Sequence, residues 1–245
     1  MPRPVFEAEL LSKTQLSDDT LQLTFQLADD SFSFQAGQFV SIQFELDGDN
    51  LKRSYSIASA PGVFQSMRQI DIAIALLPDG RASRRFQEAV PGEHFGISGP
   101  FGLLVLPDSL PERLVLVGTG TGMAPYRAML PELERIAASG IALHILMGSR
   151  HRKDVIYREE FSSLASRFEQ VTFELCLSRE ANPDVGIQEY PGYVQTRFAH
   201  LNLSPERDLP FLCGNPAMID DAVAWLSEAG FGPRQIKREK YTFSR

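Results

Sequence analysis

The chain has 245 residues but only two cysteines, Cys176 and Cys213, and four scattered histidines, His94, His144, His151 and His200. Two thiols fall short of the four that an iron–sulfur cluster or thiolate zinc site takes. No histidine pair has HxH or HxxxH spacing, so no metal site is expected. No uncharged apolar run approaches the ~18 residues of a membrane span, and the opening MPRPVFEAEL lacks the apolar stretch of a signal peptide. The cytoplasm is therefore the expected compartment, with no membrane partner. Basic charge is scarce as well: 24 Lys and Arg against 31 Asp and Glu leave a net charge of −7. Phosphate-backbone binding needs a basic surface, so nucleic acid is not an expected partner.

What is present is ordinary globular material, 43% hydrophobic and 22% charged, in a length that suits two small domains. No internal repeat or low-complexity segment interrupts it. Residues 6–16, 20–28, 37–46, 53–59 and 69–77 carry the alternation and the β-branched or aromatic content of strands. Asp29-Asp30, Asp47-Gly48-Asp49, Pro61-Gly62, Pro78-Asp79-Gly80 and Pro91-Gly92 punctuate them as turns. Short strands with regular turns predict an antiparallel β-barrel or sandwich, interrupted by one short helix over 82–89. After Pro107 the texture changes. Continuous apolar runs at 114–118, 141–149, 171–178 and 209–214, followed by 235–241, alternate with helical stretches to Ala138, over 155–166 and over 216–229. That pattern predicts a doubly wound α/β domain on a parallel sheet, with the boundary near 107–111.

Two segments carry chemistry. Gly118-Thr119-Gly120-Thr121-Gly122 follows a buried strand and opens a helix, where glycines turn tightly and free N–H groups favour a phosphate. Taken alone it also reads as a tight strand-to-helix turn with no ligand. Arg53-Ser54-Tyr55-Ser56-Ile57-Ala58-Ser59 offers a cation, a flat aromatic and three hydroxyls to a phosphorylated planar cofactor. Taken alone it is also an ordinary strand with a core tyrosine.

Together and in order, RxYS, GTGTGxAP and Cys213-Gly214-Asn215-Pro216 resemble the ferredoxin–NADP⁺ reductase superfamily over nearly the whole chain. The resemblance implies FAD on a barrel domain, residues 1–107, and a nicotinamide dinucleotide on an α/β domain, residues 111–245. Within RSYSIAS it implies that Arg53 pairs with the FAD pyrophosphate and Tyr55 covers one isoalloxazine face. Ser56 would lie near the reactive flavin nitrogen, with Ser54, Ile57 and Ser59 completing the cradle. Gly80-Arg81-Ala82-Ser83 is similar to the family's GxxS element, so Gly80, Ala82 and Ser83 would take up remaining phosphate charge. On the second domain, Gly118, Thr119, Gly120, Thr121 and Gly122 would receive the dinucleotide pyrophosphate. Cys213 and Gly214 would stand beside the nicotinamide. Glu239-Lys240-Tyr241 resembles the terminal ExY, with Glu239 by the nicotinamide and the aromatic ring on the flavin. Here Thr242-Phe243-Ser244-Arg245 follows, so Phe243 is a second candidate for contact with FAD.

Ser178-Arg179 and Tyr193-Val194-Gln195 resemble the SR…YxQ pair that holds a 2′-phosphate and adenine. Arg150 would add a second cation, which favours NADP(H) over NAD(H), although Glu180 beside Arg179 is the kind of acid that NAD-preferring relatives use. A flavin converts between hydride pairs and single electrons. The expected activity is thus electron transfer between NADPH and a separate ferredoxin or flavodoxin, by a monomer. Alternatives are an NAD(P)H:flavin reductase, the reductase component of an oxygenase, and a non-catalytic nucleotide-sensing module. Arg81, Arg84 and Arg85, with Arg234, Lys237, Arg238 and Lys240, would form a basic rim that steers an acidic carrier if the fold brings both groups to the flavin edge; the other reading is solvated charges that balance nearby acids such as Glu88 and Glu239.

Overall fold

The computed structural model describes residues 4–241; the expectation for Phe243 lies outside them. The chain divides into two compact units, one of residues 4–105 with Ala124–Met129, the other of Leu106–Met123 with residues 130–241.

The first unit is a six-stranded antiparallel sheet. Its strands are β1 (Val5–Ser17), β2 (Thr20–Leu27), β3 (Phe39–Leu46), β4 (Asp49–Ser56), β5 (Gln69–Ala75) and β6 (His94–Phe101), in the order β4-β3-β6-β1-β2-β5. Burial alternates residue by residue along β2 and β3, as a sheet with one core face requires. Leu10, Leu23, Phe25, Ile42, Ile72 and Ile97 fill the interior. Asp47 and Gly48 both have positive φ and join β3 to β4 with Leu46 opposite Asp49, a two-residue turn suited to Asp-Gly. The sheet curls closed where Ile57, just past β4, bridges Ile72 of β5. Closure into a barrel removes the open edges that antiparallel sheets otherwise leave.

Two helices lie in this unit, α1 (Pro61–Met67) and α2 (Arg81–Glu88). Only α2 is expected from the sequence. Pro61-Gly62 reads as a turn, but Pro is well suited to the first helical position. β4 also stops at Ser56, earlier than the strand read over 53–59, because the chain bends there to make the closing bridge.

The second unit is a six-stranded parallel sheet, ordered β10-β9-β8-β7-β11-β12. Its strands are β7 (Arg113–Thr119), β8 (Ala142–Ser149), β9 (Val171–Leu177), β10 (Glu189–Pro191), β11 (Asp208–Gly214) and β12 (Lys237–Lys240). The intervening helices are α3 (Ala124–Ala138), whose first residues Ala124–Met129 belong to the first unit, α4 (Arg158–Arg167), α5 (Phe198–Leu201) and α6 (Pro216–Glu228). Leu114 to Val117 of β7 are all buried, the continuous apolar run of a strand covered on both faces. From β7 the chain winds outward through β8, β9 and β10, then returns to place β11 on the other side of β7. That reversal makes a topological switch point at the C-terminal ends of β7 and β11, where ligands of open α/β sheets bind.

Candidate functional site

Cys213 pairs in register with Gly118 at this switch point, and Glu239 pairs with Cys213 from β12. The following residues are tied together through Thr119: its Oγ1 accepts the Asn215 N–H at 3.0 Å. Asn215 in turn caps α6, its Oδ1 accepting the N–H of Ala217 at 2.9 Å and of Met218 at 3.4 Å. The Tyr241 N–H donates to Gly214 O at 3.0 Å and its hydroxyl to Thr121 O at 3.3 Å. Two glycines permit this closeness. A Cβ on Gly122 would stand 2.3 Å from Cys213 O, and one on Gly214, whose φ is +121°, 2.5 Å from Thr119 Oγ1. Gly120, at φ +53°, faces open space. Gly118–Gly122 enter the helix through a tight 3₁₀ turn over Gly120–Met123, and α3 itself begins only at Ala124.

The Cys213 thiol is fully buried. Burial pushes it up, away from ionisation, and the nearby Glu239 adds to the effect. The thiol is therefore held in its neutral form.

The chain ends of β8 and β9 run on side by side: Ser178 N–H donates to Ser149 O at 3.0 Å and Arg179 N–H to Arg150 O at 2.9 Å. Neither Arg150 nor Arg179 pairs with a carboxylate among the described residues. Tyr193 is 69% exposed. Gln195 Nε2 donates to Asp221 at 3.2 Å, while its buried Oε1 accepts no hydrogen bond among the described residues. Gly148 lets Thr119 and Val194 approach, since a Cβ there would meet both within about 3.0 Å.

On the barrel, Tyr55 sits in β4 opposite Val40 and meets the Phe86 ring edge-on at 5.8 Å. Burial pushes its phenol up, so it stays neutral. Ser54 is exposed, whereas Ser56, Ile57 and Ser59 are buried. Arg53 donates only to Lys52 O and has no carboxylate partner among the described residues. Ser59 Oγ accepts the Asp71 N–H at 2.9 Å, which commits that oxygen to barrel closure. Gly80 precedes α2 with no side chain to cap it, leaving the first amides of the helix open. A Cβ at Gly80 would press on Ser83 Oγ at 2.9 Å; that oxygen accepts the Leu77 N–H at 2.8 Å. Ala82 lies in the same first turn.

The arginines of α2 do not form a free rim. Arg81 pairs with Asp49 and Arg84 with Asp47 of the β3–β4 hairpin, and Arg85 pairs with Glu93, just before β6. Lys240 likewise pairs with Asp220, whereas Arg234 and Arg238 are exposed. Sequence reasoning also missed Asp71 and Arg127. Arg127 Nη1 donates to Ala58 O and Asp71 Oδ2, both at 3.0 Å, and holds the end of the RSYSIAS segment. A separation of 56 residues leaves no pattern that would reveal the pair. Among the described residues no group of three His, Cys, Asp or Glu side chains gathers to hold a metal, and no helix is long and apolar enough to cross a membrane.

Residues 7–105 match the family model of an oxidoreductase FAD-binding domain, and residues 116–224 that of an oxidoreductase NAD-binding domain. Ferredoxin--NADP reductase B of Sorangium cellulosum (strain So ce56) is 36% identical over 241 residues, which cover 96% of this chain and 94% of that relative. The toluate 1,2-dioxygenase electron transfer component of Pseudomonas putida is 29% identical over 245 residues, covering 98% of this chain and 68% of that one. Among solved structures, a ferredoxin NADP⁺ reductase from Neisseria gonorrhoeae with bound FAD and NADP superposes with a TM-score of 0.81 at 22% identity. It covers 96% of this chain and 97% of its own.

Proposed function

The chain belongs to the ferredoxin–NADP⁺ reductase superfamily, and from that premise we propose that it exchanges electrons between NADPH and a ferredoxin or flavodoxin. In broader terms it is an FAD-dependent oxidoreductase that moves electrons between NAD(P)H and an electron carrier. The observation that carries the proposal is the meeting of Gly118–Gly122, Cys213–Asn215 and Glu239–Tyr241 at the switch point of the parallel sheet.

The residues fit both groups. Arg53, a cation with no carboxylate partner among the described residues, and the uncapped start of α2 suit the FAD phosphates. Tyr55 offers a neutral ring to the flavin, with Ser54, Ser56 and Ile57 alongside. Gly120 opens backbone toward a pyrophosphate, and Arg150, Ser178 and Arg179 suit a 2′-phosphate. The exposed Tyr193 ring suits adenine, a flat base, with Gln195 two residues on. Ser56, Cys213, Glu239 and Tyr241 are the residues we assign to the reacting rings. FAD, when bound, supplies the exchange between hydride pairs and single electrons.

We take residues 1–107 and 111–245 as the two functional domains of a cytoplasmic monomer. Two free, buried cysteines support a reducing compartment. An oxygenase component as electron acceptor is the second reading, favoured by the likeness to the toluate dioxygenase component. The test is steady-state kinetics with both dinucleotides. Arg179→Ala should cut kcat/KM for NADPH and leave that for NADH nearly unchanged; equal losses would remove the 2′-phosphate from the proposal.

A further inference from the structure

Glu189 opens the edge strand β10 and is completely buried. A carboxylate withdrawn from water needs opposite charge and well-aligned donors. Arg152 supplies both: its Nε donates to Oε1 at 2.9 Å and Oε2 at 3.1 Å, and its Nη2 donates to Oε2. Arg158, the first residue of α4, places Nη2 3.0 Å from Oε1. The Asp184 N–H donates to Oε2 at 3.3 Å.

Arg152 also grips the segment between β9 and β10 at two further points. Its backbone N–H donates to Glu180 Oε2 at 3.0 Å, and its Nη2 to Asn182 O at 3.3 Å. The segment that begins with Ser178-Arg179 is thus fastened at Glu180, Asn182, Asp184 and Glu189. Glu180, the acid beside Arg179, is committed to a backbone amide.

We propose that the Arg152–Glu189–Arg158 cluster is a positioning device for 2′-phosphate selectivity: it fixes the 178–189 segment so that Arg179 meets the phosphate and Glu180 is held to the Arg152 amide. The proposal rests on the reading of Arg179 as a 2′-phosphate contact. None of the three residues touches the dinucleotide in this scheme; they act through the segment they hold. Arginine is required at 152, because lysine keeps the charge but loses the fork that spans Glu189 and Asn182.

The experiment is calorimetric binding of adenosine 2′,5′-bisphosphate and of ADP to the FAD-loaded protein, for the parent, Glu189→Gln, Arg152→Lys and Arg179→Ala. Glu189→Gln should weaken the 2′,5′-bisphosphate by about tenfold and ADP by no more than about twofold, the scale on which supporting residues tune a site. Arg152→Lys should shift selectivity the same way, and Glu189→Gln added to Arg179→Ala should cost no further selectivity. Glu189→Gln removes a negative charge, so electrostatics alone predicts tighter binding of the 2′,5′-bisphosphate. Tighter binding, or equal loss for both ligands, overturns the proposal. Should Glu189→Gln fail to fold, Arg152→Lys decides, since its side chain is 42% exposed and the charge is retained; unchanged selectivity there overturns the proposal. If Arg179→Ala leaves selectivity intact, the underlying 2′-phosphate reading fails. If it abolishes selectivity while the other two variants keep theirs, the positioning role alone fails.

Discussion

Gly214→Ala is the sharpest perturbation of the switch point. Gly214 holds φ at +121°, and an added Cβ would lie 2.5 Å from Thr119 Oγ1 and 2.8 Å from Thr119 O. The strained backbone costs about 1–3 kcal/mol in an L-residue. The overlap costs about the same again, because one of the two atoms is main chain and gives way only by moving β7. Displacing Thr119 also loosens Asn215, whose N–H it accepts, and with it the cap of α6. For a chain of this size each kcal/mol lowers Tm by roughly 2–4 °C, so a fall of about 5–20 °C is expected. Circular dichroism melts measure it, with NADPH-driven dye reduction read in parallel and expected to drop. Gly62→Ala is the control: it lies in α1, no atom beyond its own helix backbone lies within 4 Å of its Cβ and its φ is not positive, so its Tm should stay at or slightly above the parent's. A Gly214→Ala protein that melts with the parent would refute the close-approach argument.

Arg53→Ala should weaken FAD retention by about 1.5–3 kcal/mol through loss of a charge-assisted phosphate contact, read as flavin released on dilution; unchanged retention would contradict the assignment. Acid should destabilise the fold late. Burial pushes the Glu174 carboxyl up, but His144 and Arg197 outweigh it and bring it to about 2; Arg152 foremost holds Glu189 at about 2 as well. Both lie below their ordinary 4.5, so their stabilisation is full above that value and is lost as pH falls toward 2. Melting temperatures measured against pH should therefore show this loss below about pH 4.5, and its completion above that pH would contradict the pairing. Burial pushes Cys176 up to about 12, and Cys213 is fully buried too. Ellman's reagent should thus find no reactive thiol in the native protein and two after denaturation, and a fast native reaction would place a cysteine at the surface.

The architecture was legible because its signals are local. The apolar run of β7, the alternation of β2 and β3, and the Asp47-Gly48 turn each state their structure within a few residues. β6 escaped notice because Gly96, Gly99 and Pro100 interrupt its pattern, and glycine and proline normally argue against strand. Helix α1 was hidden by Pro61-Gly62 and by its seven residues, of which only Phe64 is buried. The motif segments of the site were readable from order and spacing. What fixes them in place was not: Arg84 and Asp47 are 37 residues apart, as are Arg152 and Glu189. Such pairs form only when the sheets bring them together, so the sequence does not reveal which acids balance Arg81, Arg84, Arg85 and Lys240.

The most direct test of the central claim is an anaerobic titration of the purified, FAD-reconstituted protein with NADPH and, separately, NADH, followed by flavin absorbance. The account predicts that the retained flavin is FAD, that NADPH bleaches it, and that NADH requires a higher concentration to do so. Retention of FMN, failure to retain any flavin, or bleaching by NADH at the same concentrations as NADPH would contradict it.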